Sequence, residues 1–330
     1  MERDYAQLKV AVVGGGQIGA AVALLFARAG HRTCLWNRGR PGRERAFGWM
    51  REALDTLVAE GVENARSAEQ ALHRVVPSPD LPTAVQGAGY VFEALSEDQE
   101  LKRSTFAQLD RICPAPCVLA TGTSGLSVGD IAAATRHPER VLGVHHFTPA
   151  HIVPGVEVVA SRATSAATVA FTVGLLRSLG RRTVVTPDIP GFIAGRLSSA
   201  LRREAWAVVA EGLATAADVD AIWTASLGPI YAALGPLAVS DASGLDVLLR
   251  VHEYVEPVLH PPSSPSPLIR ELVGEGRLGM KSGRGFYAWP AELGVRLRRR
   301  RDALLSRYFA ASEAEPPVGL TDVAPGHPHQ

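Results

Sequence analysis

The sequence predicts a doubly wound, mostly parallel α/β domain followed by a smaller all-α domain. Three observations support this expectation. Short apolar runs alternate with helix-patterned segments over the first ~190 residues, the signature of successive β–α–β units. The first run, residues 9–13, leads directly into Gly14-Gly-Gly16-Gln-Ile-Gly19 and then the apolar stretch 20–29. Beyond residue 187 strand-like alternation disappears, and only helical or loop spacing remains.

The glycine pattern is G-x-G-x-x-G between a strand and a helix, the context in which it marks a Rossmann-type dinucleotide site. Gly14 permits the tight turn, Gly16 lets backbone approach a pyrophosphate, and Gly19 allows close helix–strand packing. Gln17 and Ile18 open the helix, whose free N–H groups and positive dipole end face the phosphates. Residues 33–36 read as the second strand. Asn37 follows, where an acidic residue would accept from the ribose hydroxyls and repel a 2′-phosphate. It carries no charge, and Arg38, Arg40 and Arg43 come next. An arginine here pairs with a 2′-phosphate, so the reading leans modestly to NADP over NAD.

Further along, residues 47–60 have helical spacing (Phe47, Met50, Leu54, Leu57, Val58), closed by Gly61. Ser67 is a candidate N-cap for a second helix reaching residue 72. Strands are expected at 74–76, 90–93 and 117–120, with an amphipathic helix at 97–112. The stretch 141–159 carries the chemistry: an apolar run ends in His145, a Pro-bounded loop follows, and a β-branched run holds Glu157. If the chain doubles back, carboxylate and imidazole meet as an acid–base pair. The bland alternative is two unrelated residues at the core edge. Alternation sends His146 to the opposite face. A helix at 164–179 and a strand at 183–186 complete the first domain, residues 1–187. The helical domain spans 188–310, with helices at 192–212 and after Thr215. Residues 260–267 form a Pro-rich extended loop, residues 296–301 a solvated Arg face, and residues 311–330 a disordered tail.

A chain of 330 residues is too long for one ordinary core. With 46% hydrophobic and 20% charged residues, it has the composition of a soluble globular protein. A net charge of +1 argues against nucleic-acid or membrane binding. No signal-peptide core or run of transmembrane length is present. Cys34, Cys113 and Cys117 are sparse and odd in number, which suits a reducing, cytoplasmic compartment. The pair Cys113 and Cys117 lacks a second ligand pair, so no metal site is expected.

Taken together, the motifs resemble the 3-hydroxyacyl-CoA dehydrogenase family. The resemblance covers residues 8–289. It rests on the glycine loop, Val91-Phe-Glu-Ala94, Thr123-Ser-Gly-Leu126, Pro190-Gly-Phe-Ile193, Gly235-Pro-Leu237, Gly244-Leu-Asp246 and Met280-Lys-Ser-Gly-Arg-Gly-Phe-Tyr287. The stretches 97–110 and 145–159 are similar to its L-gulonate 3-dehydrogenase and lambda-crystallin branch. The resemblance implies hydride transfer between a nicotinamide cofactor and a 3-hydroxy or 3-oxo acyl compound. It also implies a homodimer formed through the helical domain. It makes His145 the catalytic base, Glu157 its partner, Ser124 the donor to the reacting oxygen, and Glu97 and Lys102 cofactor-binding residues. The chain departs from the family pattern at three sites. Thr148 and Gly195 stand where the family places substrate-binding Asn, with Arg196 retained, and Gly122 replaces the Asn of the cofactor loop. The segment between Asn37 and Val75, which helps to hold CoA in the family, is short. The substrate expected is therefore a small acyl or hydroxy acid that is CoA-bound, carrier-bound or free. The alternatives are a reductase for imines or other carbonyls, and a non-catalytic, crystallin-like cofactor binder.

Overall fold

A computed structural model describes residue 5, residues 8–261 and residues 266–314. The predicted tail therefore lies outside the described residues from position 315 onward, as does part of the Pro-rich loop. The chain forms two units, Met1–Phe192 together with Arg298 onward, and Ile193–Leu297. The division thus falls later than residue 187. The last helix, expected to stay with the helical unit to residue 310, returns to the first unit from Arg298.

The first unit is built on eight strands: β1 (Val10–Val13), β2 (Thr33–Trp36), β3 (Val75–Ser78), β4 (Tyr90–Glu93), β5 (Val118–Thr121), β6 (Val141–His146), β7 (Gly155–Ala160) and β8 (Arg182–Pro187). Their order in the sheet is β3-β2-β1-β4-β5-β6-β7-β8. Every neighbouring pair is parallel except β6 with β7. The helices are α1 (Gln17–Arg28), α2 (Arg40–Ala59), α3 (Ala65–Arg74), α4 (Leu81–Val85), α5 (Gln99–Ile112), α6 (Val128–Ala132) and α7 (Ala166–Ser178). The central strands β1, β4 and β5 are buried at every position, as a parallel sheet covered on both faces requires. One core layer joins α1 and α2 to Val10, Val12, Tyr90 and Phe92. The other packs Phe106, Leu109 and Ile131 against Ala11, Val13 and Val91. Strand order reverses between β1 and β4, and a dinucleotide site opens at such a switch point.

Helix starts follow local chemistry. Asn64, rather than Ser67, caps α3, and its side chain accepts from the Ser67 N–H at 2.9 Å. Asp98 caps α5 in the same way at 2.8 Å. The second unit holds α8 (Ala194–Ala210), α9 (Ala216–Ile222), α10 (Gly228–Leu234), α11 (Pro236–Ser243), α12 (Leu245–Val255) and α13 (Pro267–Gly274). Thr215 and Asp218 form a reciprocal capping box at the start of α9. The last helix, α14 (Ala291–Ala314), bears the Arg-rich face. That face is not purely solvated, because Arg299 pairs with Glu52 of α2 at 3.3 Å. Among the described residues no single helix is long and apolar enough to cross a membrane, and no cluster suits a metal ion.

One buried ion pair ties α5 to the sheet. Asp110 accepts from Arg140 Nη2 at 2.8 Å, from the Arg136 N–H at 2.8 Å and from His137 Nδ1 at 3.1 Å. Burial alone would raise the Asp110 carboxyl, but the bonds from Arg140, Arg136 and His137 outweigh it and hold it below its usual value. A depressed carboxyl stabilises the fold above its unfolded pKa of about 3.9, and that contribution disappears as pH falls through the folded value. Asp110→Ala leaves Arg140 buried without its counter-charge, so we expect a loss of about 3–5 kcal/mol in urea unfolding at pH 7. The gap between variant and wild type should narrow below pH ~4. A gap independent of pH would contradict this account.

Candidate active site

The loop after β1 is shaped by backbone crowding. Gly14 has φ +116°, and a Cβ there would lie 2.5 Å from the Ala94 carbonyl oxygen. A Cβ on Gly19 would sit 1.8 Å from the Gly14 oxygen, so only glycine lets α1 start this close to β1. Gly16, by contrast, is exposed and faces open space. Its N–H neighbours, Gln17 and Ile18, begin α1 and present unpaired backbone donors. This cradle fits a dinucleotide pyrophosphate. Asn37 is half-buried, with its amide packed over Gly15 and Gly42, and Arg38 is exposed.

Beside the cradle lies a buried charge network. Glu93 ends β4 and Lys102 lies on α5, and both are fully buried. The Lys102 ammonium donates to the two Glu93 oxygens at 2.9 and 3.0 Å. Thr121 and the Leu95 N–H supply further bonds to Glu93, at 2.8 and 2.6 Å. Lys102 also approaches Glu97 at 3.6 Å. The Glu97 carboxylate in turn accepts from the Thr123 hydroxyl at 2.5 Å and from the Ser124 N–H at 2.9 Å. The hydroxyl of Thr123 then accepts from the Leu126 N–H at 2.9 Å. A chain of charged hydrogen bonds thus fixes the turn bearing Ser124.

The third part is the antiparallel pair β6/β7. His145 and Glu157 are direct cross-strand partners, so their side chains share one face. His145 Nδ1 meets Glu157 Oε2 at 2.8 Å, with only 11% and 6% of the two side chains exposed. Phe147 and Phe192 pack on the imidazole, with ring centres 4.7 and 5.9 Å away. His146 points the other way, against Phe92, and burial followed by the nearby Arg181 and His145 charges pushes it down to about pKa 3. A carboxylate-oriented imidazole beside a dinucleotide cradle can move a proton while hydride is exchanged.

Comparison with known proteins identifies the family. The description "3-hydroxyacyl-CoA dehydrogenase, NAD binding domain" matches residues 9–189, and the C-terminal domain of the same family matches residues 191–289. The chain belongs to the 3-hydroxyacyl-CoA dehydrogenase family. It is 37% identical over 285 residues to 3-hydroxyadipyl-CoA dehydrogenase of Escherichia coli K12, matching 86% of this chain but 59% of that protein's length. With 3-hydroxybutyryl-CoA dehydrogenase of Mycobacterium tuberculosis H37Rv it is 36% identical over 288 residues, or 85% of this chain and 98% of the relative. Among solved structures it resembles 5-formyl-3-hydroxy-2-methylpyridine 4-carboxylic acid 5-dehydrogenase, an NAD+-dependent dismutase. The TM-score is 0.86 at 29% identity, over 94% of this chain and all of that one. The first unit is therefore an NAD-binding domain and the protein a dehydrogenase. None of these relatives carries the name of the L-gulonate 3-dehydrogenase or lambda-crystallin branch.

The dehydrogenase brings together His145 with Glu157, Glu97 with Lys102, and Glu97 with the Ser124 backbone. Ser124 does not cap the following helix, since Ser127 caps α6. Lys102 is enclosed, and Glu97, the more exposed partner, lies 3.6 Å from it. Gly122 is explained by space, because a Cβ would lie 2.7 Å from the Phe92 ring. Thr148 is exposed in the loop after His145. Gly195 and Arg196 open α8 in the second unit. Sequence reasoning missed Glu93, Thr121 and Thr123, although Glu93 lies inside the quoted Val91-Phe-Glu-Ala94 motif. Asp188 was also missed. It accepts from the N–H groups of Val128 and Gly129 at 3.0 and 2.7 Å, holding the start of α6.

Because the Gly19 Cβ would collide with backbone, Gly19→Ala should displace the loop. We expect NADH affinity, read by fluorescence titration, to fall at least tenfold, or about 1.4 kcal/mol. Unchanged affinity would show that the loop does not hold the cofactor.

Proposed function

We propose that the dehydrogenase interconverts a 3-hydroxy and a 3-oxo acyl compound, with His145 and Glu157 as its acid–base pair. The 2.8 Å bond between His145 Nδ1 and Glu157 carries this reading. With Nδ1–H donated to the carboxylate, Nε2 is the nitrogen left for the reacting oxygen. NAD, when bound, accepts or returns hydride at its nicotinamide ring. In oxidation His145 Nε2 takes the hydroxyl proton, and Glu157 stabilises the imidazolium that results. In reduction the imidazolium returns that proton to the carbonyl oxygen. Ser124, whose hydroxyl makes no bond among the described residues, donates to oxygen as negative charge develops there.

NAD is the cofactor we favour. Of the three arginines that raised NADP, Arg40 pairs with Glu44 at 2.7 Å and Arg43 donates to the Asn37 carbonyl at 2.9 Å. That leaves Arg38 alone to attract a 2′-phosphate. The relatives named for CoA substrates favour a thioester, whereas the solved structure that aligns with 94% of this chain at 29% identity is named for a pyridine carboxylic acid. We favour a compact free acid, and place the protein in the cytoplasm on its three unpaired cysteines.

The acid–base reading predicts that His145→Ala lowers kcat by about 10²–10⁴-fold, and Glu157→Gln by less, with NADH affinity kept. The assay follows NADH oxidation with 3-oxobutyryl-CoA, free 3-oxo acids and imines in parallel. Turnover within a few-fold of wild type in His145→Ala would end the assignment. Silence with every substrate would favour a non-catalytic cofactor binder, and turnover of imines alone an imine reductase.

We also infer a homodimer formed through the second unit. Among its described apolar side chains only Ala207 and Leu272 are buried, while Leu237 and Tyr254 are 81% and 83% exposed. Apolar surface on this scale marks an interface. Leu237→Lys combined with Leu249→Lys should yield monomer by light scattering, where wild type gives twice the chain mass. A monomeric wild type would refute the inference.

A further inference from the structure

Phe192, the last residue of the first unit, is held in a conformation that suits glycine. Its φ is +50°, and it is the one non-glycine residue with positive φ among the described residues. The left-handed region crowds any L side chain, and a bulky one most. Just before it, Pro190 and Gly191 form the centre of a turn, with Gly191 at φ +75°. The turn closes by a 3.0 Å bond from the Phe192 N–H to the Ile189 carbonyl. Glycine or asparagine would follow this turn with little strain. The chain instead carries a fully buried phenyl ring here.

Strain of this kind persists only where the surroundings over-determine it. Asp188, four residues earlier, accepts from the Val128 and Gly129 N–H groups and donates its own N–H to the Ala160 carbonyl at 3.2 Å. The Phe192 ring packs with Val128 and Val159. Val159 lies opposite Gly143 across the β6/β7 pair, and a Cβ on Gly143 would come within 2.9 Å of both Val128 and Val159. The missing side chain in the middle of β6 thus leaves room for this cluster. Gly143 is two residues from His145 on one strand, and Val159 two from Glu157 on the other. The cluster therefore lies on the face that carries the His145–Glu157 bond. There the Phe192 ring meets the imidazole, with 5.9 Å between ring centres and 58° between planes. The same turn runs beside the Ser124 turn, since a Cβ on Gly125 would lie 3.7 Å from the Gly191 Cα. Phe147 also meets the imidazole, but it is only half-buried and follows the end of β6. Phe192 is the fixed wall.

We propose that Phe192 is a positioning residue, whose buried ring holds the His145 imidazole on Glu157 and closes one side of it to water. This rests on the reading above, in which His145 serves the reacting oxygen.

Two measurements on the full chain test it. The first needs no turnover: modification of His145 by diethyl pyrocarbonate is followed by peptide mass spectrometry, with the exposed His73 as internal reference. Phe192→Gly removes the ring and suits the backbone, so it should speed modification of His145 severalfold and leave His73 unchanged. The second is a double-mutant cycle on kcat with 3-oxobutyryl-CoA and NADH. Phe192→Gly should lower kcat about tenfold, with KM and NADH affinity within about twofold of wild type. In the His145→Ala background the same change should cost less than about twofold, because a ring that acts through the imidazole has nothing left to hold. Phe192→Leu, which keeps apolar volume without the flat ring, should fall between glycine and wild type in both measurements. Should the glycine variant lose NADH binding, the leucine variant decides by the same two criteria. A wild-type rate of His145 modification, or a kcat loss repeated in full in the His145→Ala background, would overturn the proposal. Wild-type turnover in His145→Ala alone would instead end the acid–base reading, so the two failures show up separately.

Discussion

The Glu93–Lys102 pair is the constraint on which the rest of the site depends. Both charges are taken wholly out of water, and such a pair survives only when the remaining lone pairs and protons find partners. Thr121 and the Leu95 N–H supply them on one side, and Glu97 on the other. Removing either charge would strand the other, at a typical cost of about 3–5 kcal/mol. The pair therefore locks the end of β4 to α5. Because the Ala94 carbonyl leaves no room for a Cβ on Gly14, the same lock bears on the shape of the glycine loop. Glu97 carries it onward to the Ser124 turn.

A second constraint is register. In a sheet every side chain alternates faces, so a slip of one residue exchanges His145 for His146. The two histidines have opposite environments. One is held by a carboxylate and packed at a tilt against Phe147 and Phe192, and the other is buried against Phe92 with its proton affinity suppressed. Partners on both sides of the β6/β7 pair, β5 and β8, hold the register.

Local chemistry made much of this legible in advance. The glycine loop, the alternation of strands and helices, and the run from His145 to Glu157 all depend on short-range spacing, which a sequence displays directly. The Lys102 contact with Glu93 was not legible, because it depends on how α5 packs back on β4. Ser67 was a reasonable N-cap until Asn64, three residues earlier, proved to be the acceptor. The Arg face of α14 reads as solvated because its partners Glu52 and Glu60 lie some 247 residues away in the chain. The domain boundary was obscured for the same reason, since only tertiary contact returns Arg298 to the first unit.

The β6/β7 pairing has one more consequence. His145 and Glu157 are placed by strands that are anchored independently on either side, while Thr148 to His151 belong to the loop that joins them. That loop can be lengthened, shortened or rewritten without disturbing the hydrogen bond between the two side chains. The loop and the hydrogen bond are thus separable under selection, although only a few residues divide them in the chain. The connection between β6 and β7 can therefore change while the cross-strand pair of His145 and Glu157 stays in place.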